Sequence, residues 1–223
     1  IALTRDGKNF EEYRISTKNY ETEDELYVFL KILYKEKINN IPIVVSSVVP
    51  SVNVIFEYFA SKYGNGEVCF VNAQRYDKII WNVNYPQEIG ADRICDVIAA
   101  YKDYGKDCIV VDYGTAITIE VLRDGKYEGG AILPGFSMMV HALFRGTAKL
   151  PEVEIKPYDG FIGKDTESNV RIGTINATVG AIRYLLENIK RQYSQPPLII
   201  HTGGQATYVS DAVEGIIDRD LTL

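Results

Sequence analysis

At 223 residues, with 46% hydrophobic and 24% charged side chains, the chain has a globular composition and enough length for one large domain or two lobes. A net charge of −6 excludes the basic balance that gives general affinity for nucleic acid or anionic membrane, so anionic ligands are confined to local sites. Three widely spaced cysteines, Cys69, Cys95 and Cys108, form no C-x-x-C pair and fit a reducing, cytoplasmic setting better than a disulfide framework or a zinc site. No apolar run approaches the roughly 18 residues of a membrane span, and the N-terminus lacks the basic-then-apolar form of a signal peptide.

Residues 1–16 read as a hairpin turning at Arg5-Asp6-Gly7-Lys8. Thr22 with Glu25 forms a capping box ahead of the helical stripe Leu26, Phe29, Leu30 and Leu33. A continuous apolar strand is predicted over Ile43 to Val49, stopped by Pro50. A second stripe, Val52, Ile55, Phe56 and Phe59, ends near Gly64, and a short strand covers Val68 to Val71. A helix beginning near Gly90 carries Ile94, Val97, Ile98 and Tyr101 on one face and stops at Gly105. Cys108 to Val111 is a buried-type strand that runs into Asp112-Tyr113-Gly114-Thr115, and strands follow over Ile119 to Leu122 and Tyr127 to Leu133. Pro134 and Gly135 open a helix with Phe136, Met139, Val140 and Leu143 on its inner face. A long helix carries Ile175, Val179, Ile182, Leu186 and Ile189 until Pro196 and Pro197 break it. Leu198 to Ile200 is a strand leading into Thr202-Gly203-Gly204, and a last helix is predicted beyond.

An internal repeat organises these elements. Arg5-Asp6-Gly7-Lys8 recurs as Arg123-Asp124-Gly125-Lys126, each in a hairpin turn with strands and helices following in similar order. Two homologous α/β lobes are therefore expected, divided as 1–106 and 107–223, with a cleft between them. At the offset of 118 residues between copies, the counterpart of Asp112 would fall upstream of Ile1. The first lobe is thus expected to lack its opening strand and loop.

Several motifs offer chemistry. In Asp112-Tyr113-Gly114-Thr115, glycine lets backbone approach a phosphate, backbone N–H and hydroxyl groups can hold its oxygens, and the Asp can bind a cation; an ordinary glycine turn with a capping Asp is the alternative. Gly203-Gly204 at a strand end permits close approach of a flat or phosphorylated ligand, and equally suits a tight turn. Gly90-Ala91-Asp92-Arg93 places an acid and a base at a helix N-terminus, where the dipole favours the ionised Asp a general base requires; plain helix capping is the alternative. Asp96, one turn on, reads as a solvated or capping carboxylate. Gly163-Lys164-Asp165-Thr166 lacks the upstream glycine of a Walker loop and reads instead as a helix start. His141 and His201 lack ligand spacing, so core or surface roles are expected for both.

Taken together, these residues resemble the type III pantothenate kinases. The resemblance rests on Trp81-Asn82-Val83, Pro86-x-Glu88-Ile89-Gly90-Ala91-Asp92-Arg93, Asp112-x-Gly114-Thr115-Ala116, and the run from Tyr127 to Gly135. It continues through Thr147-Ala148-Lys149-Leu150-Pro151, Ile162-Gly163-Lys164-Asp165-Thr166 and Thr202-Gly203-Gly204, over essentially the whole chain. It implies a two-lobed actin-like ATPase fold of the ribonuclease H-like α/β class, a homodimer, and ATP-dependent phosphorylation of pantothenate, the first step of coenzyme A synthesis. By the same resemblance Asp92 is the catalytic base, and Gly90, Ala91, Asp92, Arg93 and Thr166 bind pantothenate. Gly114, Thr115, Gly203 and Gly204 meet ATP with its Mg2+, and Asp112 holds K+ or NH4+. Val83 stands where many members have Tyr, and Ile117 and Glu120 where Thr and Asp are common. The family opens with a strand and an Asp-x-Gly-Asn-Thr loop, so an incomplete chain is expected. A ligand-binding or regulatory protein of the same fold, catalytically impaired, is the alternative reading, and an actin-like kinase with another acceptor is a third.

Overall fold

The computed structural model describes residues 1–4, 7, 9–16, 19–35, 38, 41–157, 160–209, 212–219 and 221. They divide into two units, one built from Ile1–Asp77 and Tyr85–Cys95, the other from Lys78–Asn84 and Asp96–Leu221.

In the first unit, β1 (Ala2–Thr4) pairs antiparallel with β2 (Phe10–Glu12). Of the predicted turn, Arg5, Asp6 and Lys8 lie outside the described residues, and Gly7 has the left-handed φ of +69°. Helix α1 (Glu23–Tyr34) starts at the capping box: Glu25 N–H donates to Thr22 Oγ1 at 3.3 Å, and Thr22 N–H donates to Glu25 Oε2 at 3.1 Å. Its buried stripe is Leu26, Leu30 and Tyr34. Helix α2 (Pro50–Tyr63) takes proline at its first position, where the missing N–H costs nothing. It packs on α1, with Tyr27 and Tyr63 stacked at 3.9 Å between centroids. β3 (Ile43–Val45) pairs parallel with β4 (Val68–Phe70). The strand predicted to reach Val49 stops at Val45, because Ser47 Oγ accepts the Val49 N–H at 3.1 Å and turns the chain toward α2.

The second unit is a six-stranded mixed sheet in the order β10-β9-β6-β7-β8-β5. Its strands are β5 (Ile80–Trp81), β6 (Cys108–Tyr113), β7 (Ala116–Arg123), β8 (Lys126–Pro134), β9 (Leu198–Thr202) and β10 (Ile216–Ile217). Helix α3 (Ala91–Asp103) runs from the first unit into the second, α4 (Phe136–Gly146) follows β8, and α5 (Thr166–Lys190) is the long helix read from its periodicity. The β7–β8 hairpin turns at Asp124 and Gly125, both with positive φ (+53° and +74°), as a tight two-residue hairpin requires. β6 is central because Cys108 to Val111 are fully buried. Ile109, Val111, Ile117, Ile119 and Ile199 form one core with Ile175, Val179, Ile182 and Leu186 of α5. β7 and β8 approach closely at Gly130, where a Cβ would overlap the Ile119 carbonyl.

Three more expectations fail. Between Gly203 and Arg219 the described residues hold a 3-10 turn, Ala206–Tyr208, and β10, not a helix. Val209 and Val213 are buried by the return to the sheet. Asp96 is not solvated but 3% exposed, since it shares an inward helical face with Ala100, four residues on. Leu143, expected inside α4, is 39% exposed.

Candidate active site

Asp112 ends the buried run of β6. The register sets it opposite Thr118 on β7 and Thr202 on β9. Directly opposed residues project to one face of a sheet, so the three side chains form a polar row. Thr118 and Thr202 are buried, and Asp112 is half-buried. Two glycine turns frame the carboxylate. A Cβ at Gly114 would stand 3.5 Å from Asp112 Oδ2, while one at Gly203 would overlap Asp112 Oδ1 and stand 2.7 Å from Tyr113 N. Gly203 also has φ +86°, so glycine is required there on two counts. Thr115 is exposed at the tip of the first turn, held by the Gly135 N–H, which donates to its carbonyl at 3.1 Å. Gly204 is exposed, and a Cβ there would meet nothing within 4 Å. Asp112, Gly114 and Gly203 therefore come together, with Thr115 and Gly204 exposed.

The fit of a cation here rests on one further atom. Thr118 Oγ1 is buried without a hydrogen-bond partner among the described residues. A carboxylate and an unpartnered hydroxyl on one sheet face, ringed by backbone, suit an oxygen-liganded cation. Thr118 is a residue the sequence reading missed. Its signal was available: period-two alternation puts it on the Asp112 face once the hairpin register is known.

Behind this row, on the opposite face of the sheet, Tyr113 and His201 are each 1% exposed. The Tyr113 hydroxyl lies 3.0 Å from His201 Nδ1, and His201 Nε2 lies 2.9 Å from the Glu214 carbonyl oxygen. Burial lowers the His201 pKa from its ordinary value and raises that of Tyr113. Of the core and surface roles left open for it, His201 takes the core one.

Thr166 is the first residue of α5 and is exposed. Asp165 caps the helix, accepting the Ser168 N–H at 2.8 Å, and that bond holds its carboxyl below the usual range. Thr166 stands on the wall of a groove of about 990 Å³ with Met138, Leu143, Leu150 and Val170. Pro134 also lines it, so the groove begins one residue before the Gly135 that holds Thr115.

In the first unit, Gly90, Ala91, Asp92 and Arg93 form the start of α3. Gly90 C=O accepts the first helical bond, from Ile94 N–H at 3.1 Å. Ala91 is buried, Arg93 half-buried and Asp92 exposed. Asp92 Oδ1 accepts the Arg93 N–H at 2.9 Å and lies 2.5 Å from where a Gly90 Cβ would be, so glycine makes room for the carboxylate. Asp92 thus presents an exposed carboxylate in the first turn of α3. Val48 Cγ1 closes the other side of Gly90, 3.4 Å from the same position.

A family model described as type III pantothenate kinase matches residues 1–188. The type III pantothenate kinase of Fervidobacterium nodosum is 72% identical over all of this chain and 89% of its own length. That of Thermosipho africanus is 59% identical over the same shares. A solved Baf family protein from Campylobacter jejuni aligns with a TM-score of 0.58 at 20% identity, covering 88% of this chain and 82% of its own.

Proposed function

The chain belongs to the type III pantothenate kinase family, and from that premise we propose that it transfers the γ-phosphoryl group of ATP to the primary hydroxyl of pantothenate. Its fold class is the two-lobed α/β fold of the actin-like ATPases. The products are 4'-phosphopantothenate and ADP, and the reaction opens coenzyme A synthesis. The observation that carries the reading is Asp92: an exposed carboxylate in the first turn of α3, given room by Gly90 and followed by Arg93.

In this reading Asp92 accepts the hydroxyl proton as that oxygen attacks the γ-phosphorus and the bond from phosphorus to the ADP oxygen breaks. Arg93 pairs with the pantothenate carboxylate, and a forked guanidinium suits that partner. Gly90 and Ala91 shape the pocket, and the Thr166 hydroxyl hydrogen-bonds the substrate. Gly114, Thr115, Gly203 and Gly204 receive the nucleotide through backbone N–H and hydroxyl groups. Mg2+ bound to the ATP would neutralise charge on the transferred group. Asp112 with Thr118 would hold the monovalent cation, K+ or NH4+, whose charge would offset that of the phosphates. The proposed lobes are 1–106 and 107–223, although residues 78–84 and 96–106 pack with the second unit; Gly7 and Gly125, both left-handed, support the repeat. The apolar groove beside α4, with Met138, Leu143 and Phe144 exposed, supports a homodimer. The setting is cytoplasmic; among the described residues no helix is long and apolar enough to cross a membrane.

The test is phosphopantothenate formation by the full-length protein, with potassium against sodium. Asp92→Asn removes the base without changing shape and should lower kcat by about 10²–10⁴-fold while thermal unfolding stays at the parent value. Turnover retained in that variant would refute Asp92 as the base, and absence of product from the parent would refute the reaction.

A further inference from the structure

Tyr113 and His201 are polar side chains inside an apolar core, and neither touches the face that carries Asp112. Their neighbours are apolar: Val111, Phe136 and Ile199 belong to the same core, and the Phe136 ring stacks on Tyr113 at 6.4 Å. Every polar atom of the pair is nevertheless used. A carbonyl oxygen only accepts, so His201 Nε2 carries the proton donated to Glu214, and Nδ1 is left to accept from the Tyr113 hydroxyl. The tautomer is thereby fixed, and the neutral ring matches its buried setting. The backbone of both residues is engaged as well. Tyr113 C=O accepts the Gln205 N–H at 3.4 Å, and His201 C=O accepts the Asp218 N–H at 2.9 Å. Gly215, with φ +138°, passes so close that a Cβ there would stand 2.7 Å from His201 Nε2.

The placement of the pair in the chain gives it meaning. Tyr113 joins Asp112 to Gly114, and His201 immediately precedes Thr202-Gly203-Gly204. One hydrogen bond thus ties together, from behind, the two strands that lead into the two glycine turns, and a second anchors them to the segment before β10. We infer that Tyr113 and His201 are positioning residues that set the distance between the Gly114 and Gly203 turns and so tune nucleotide affinity. The inference rests on the reading of those turns as the nucleotide site. A fully satisfied buried network selects one packing where apolar side chains would tolerate several. Loss of the bond lets the Gly203 turn shift against Asp112 without unfolding the sheet.

The experiment compares Tyr113→Phe, His201→Leu and His201→Gln with the parent, in the full-length protein. Steady-state kinetics should show the KM for ATP raised at least about 5-fold in the first two variants, with kcat and the KM for pantothenate within about 2-fold. His201→Gln, whose amide can accept from Tyr113 and donate to Glu214, should recover most of the ATP affinity. The double variant Tyr113→Phe/His201→Leu should be no worse than the worse single one, since both remove the same link. Amide hydrogen exchange supplies the readout that needs no turnover: residues 203–209 should exchange faster in Tyr113→Phe, while β6 and β7 keep their protection. An unchanged ATP KM with unchanged exchange overturns the inference. Exchange rising evenly through the sheet, with kcat and both KM values altered alike, also overturns it, because that is general destabilisation. If the parent forms no phosphopantothenate, the proposed reaction fails, and the exchange comparison still decides whether the pair holds the turn.

Discussion

Gly203→Ala adds a single methyl group where the turn after β9 lies against Asp112. Two costs follow. An L-residue at φ +86° carries left-handed strain of about 1–2 kcal/mol. The new Cβ would also stand 2.7 Å from Tyr113 N, a backbone atom of the central strand, and must open by about 0.7 Å to reach the 3.4 Å of ordinary contact. Overpacking of that kind costs about 1–3 kcal/mol. The combined loss of about 2–5 kcal/mol lies below the 5–15 kcal/mol of a typical domain, so the variant folds. At about 3 °C per kcal/mol for a chain of this size, its Tm should fall by about 6–15 °C. Asp112 Oδ1 stands in the path of the methyl group, so the carboxylate moves too, and the KM for ATP should rise at least about 10-fold. Calorimetry and steady-state kinetics measure both. Gly204→Ala is the internal control for stability: nothing lies within 4 Å of its Cβ position and its φ is unexceptional, so its Tm should match the parent. A Gly203→Ala protein with the parent Tm and ATP KM would refute the reasoning, since it would mean the turn does not rest on β6.

Two further predictions concern buried polar groups. Burial depresses the folded-state pKa of His201 below its ordinary 6.5, so the unfolded chain binds this proton first. The stability it contributes is complete above about pH 6.5 and is lost as pH falls through the folded pKa. The Tm should therefore drop more steeply in acid for the parent than for His201→Gln, and equal slopes would exclude a buried neutral imidazole. Thr118→Val deletes a hydroxyl that has no partner among the described residues, so without potassium it should stabilise by about 0.5–1.5 kcal/mol. With potassium the parent should recover that difference through ligand binding, and the potassium concentration for half-maximal activity should rise in the variant. Urea unfolding with and without potassium tests this, and a difference independent of the ion removes Thr118 from the cation site.

Much of the fold was written in local pattern. The capping box at Thr22 and Glu25, the apolar run of β6, the glycine hairpin at Asp124-Gly125 and the helical stripe of α5 depend on neighbours within a few residues, and all four form as read. What was not readable depends on distant partners. Residues after Gly204 become a 3-10 turn and β10 because an open edge of β9 accepts them, Ile216 pairing with Ile200. Asp96 is buried by tertiary packing that helix-terminus electrostatics do not report. Leu143 obeys helical spacing and still faces a groove. At the site, Asp112, Gly114 and Gly203 were legible because glycine is demanded by close backbone approach. Thr118 and the Tyr113–His201 bond were not, because each depends on which strands become neighbours: 88 residues separate the two ends of that bond.

The alternation of β6 has a consequence for how this chain tolerates change in length. Val110 and Asp112 share one face, Val111 and Tyr113 the other, and the two faces do unlike work. Deleting one residue from the run Cys108 to Val111 shifts the strand by about 3.4 Å and also inverts it. The buried hydroxyl would then be carried to the ligand face and the carboxylate into the core. Deleting two residues keeps the phase and only shortens the reach. Odd and even length changes in this strand are therefore different in kind, and a library of indels sorted by parity would separate the demand for phase from the demand for length.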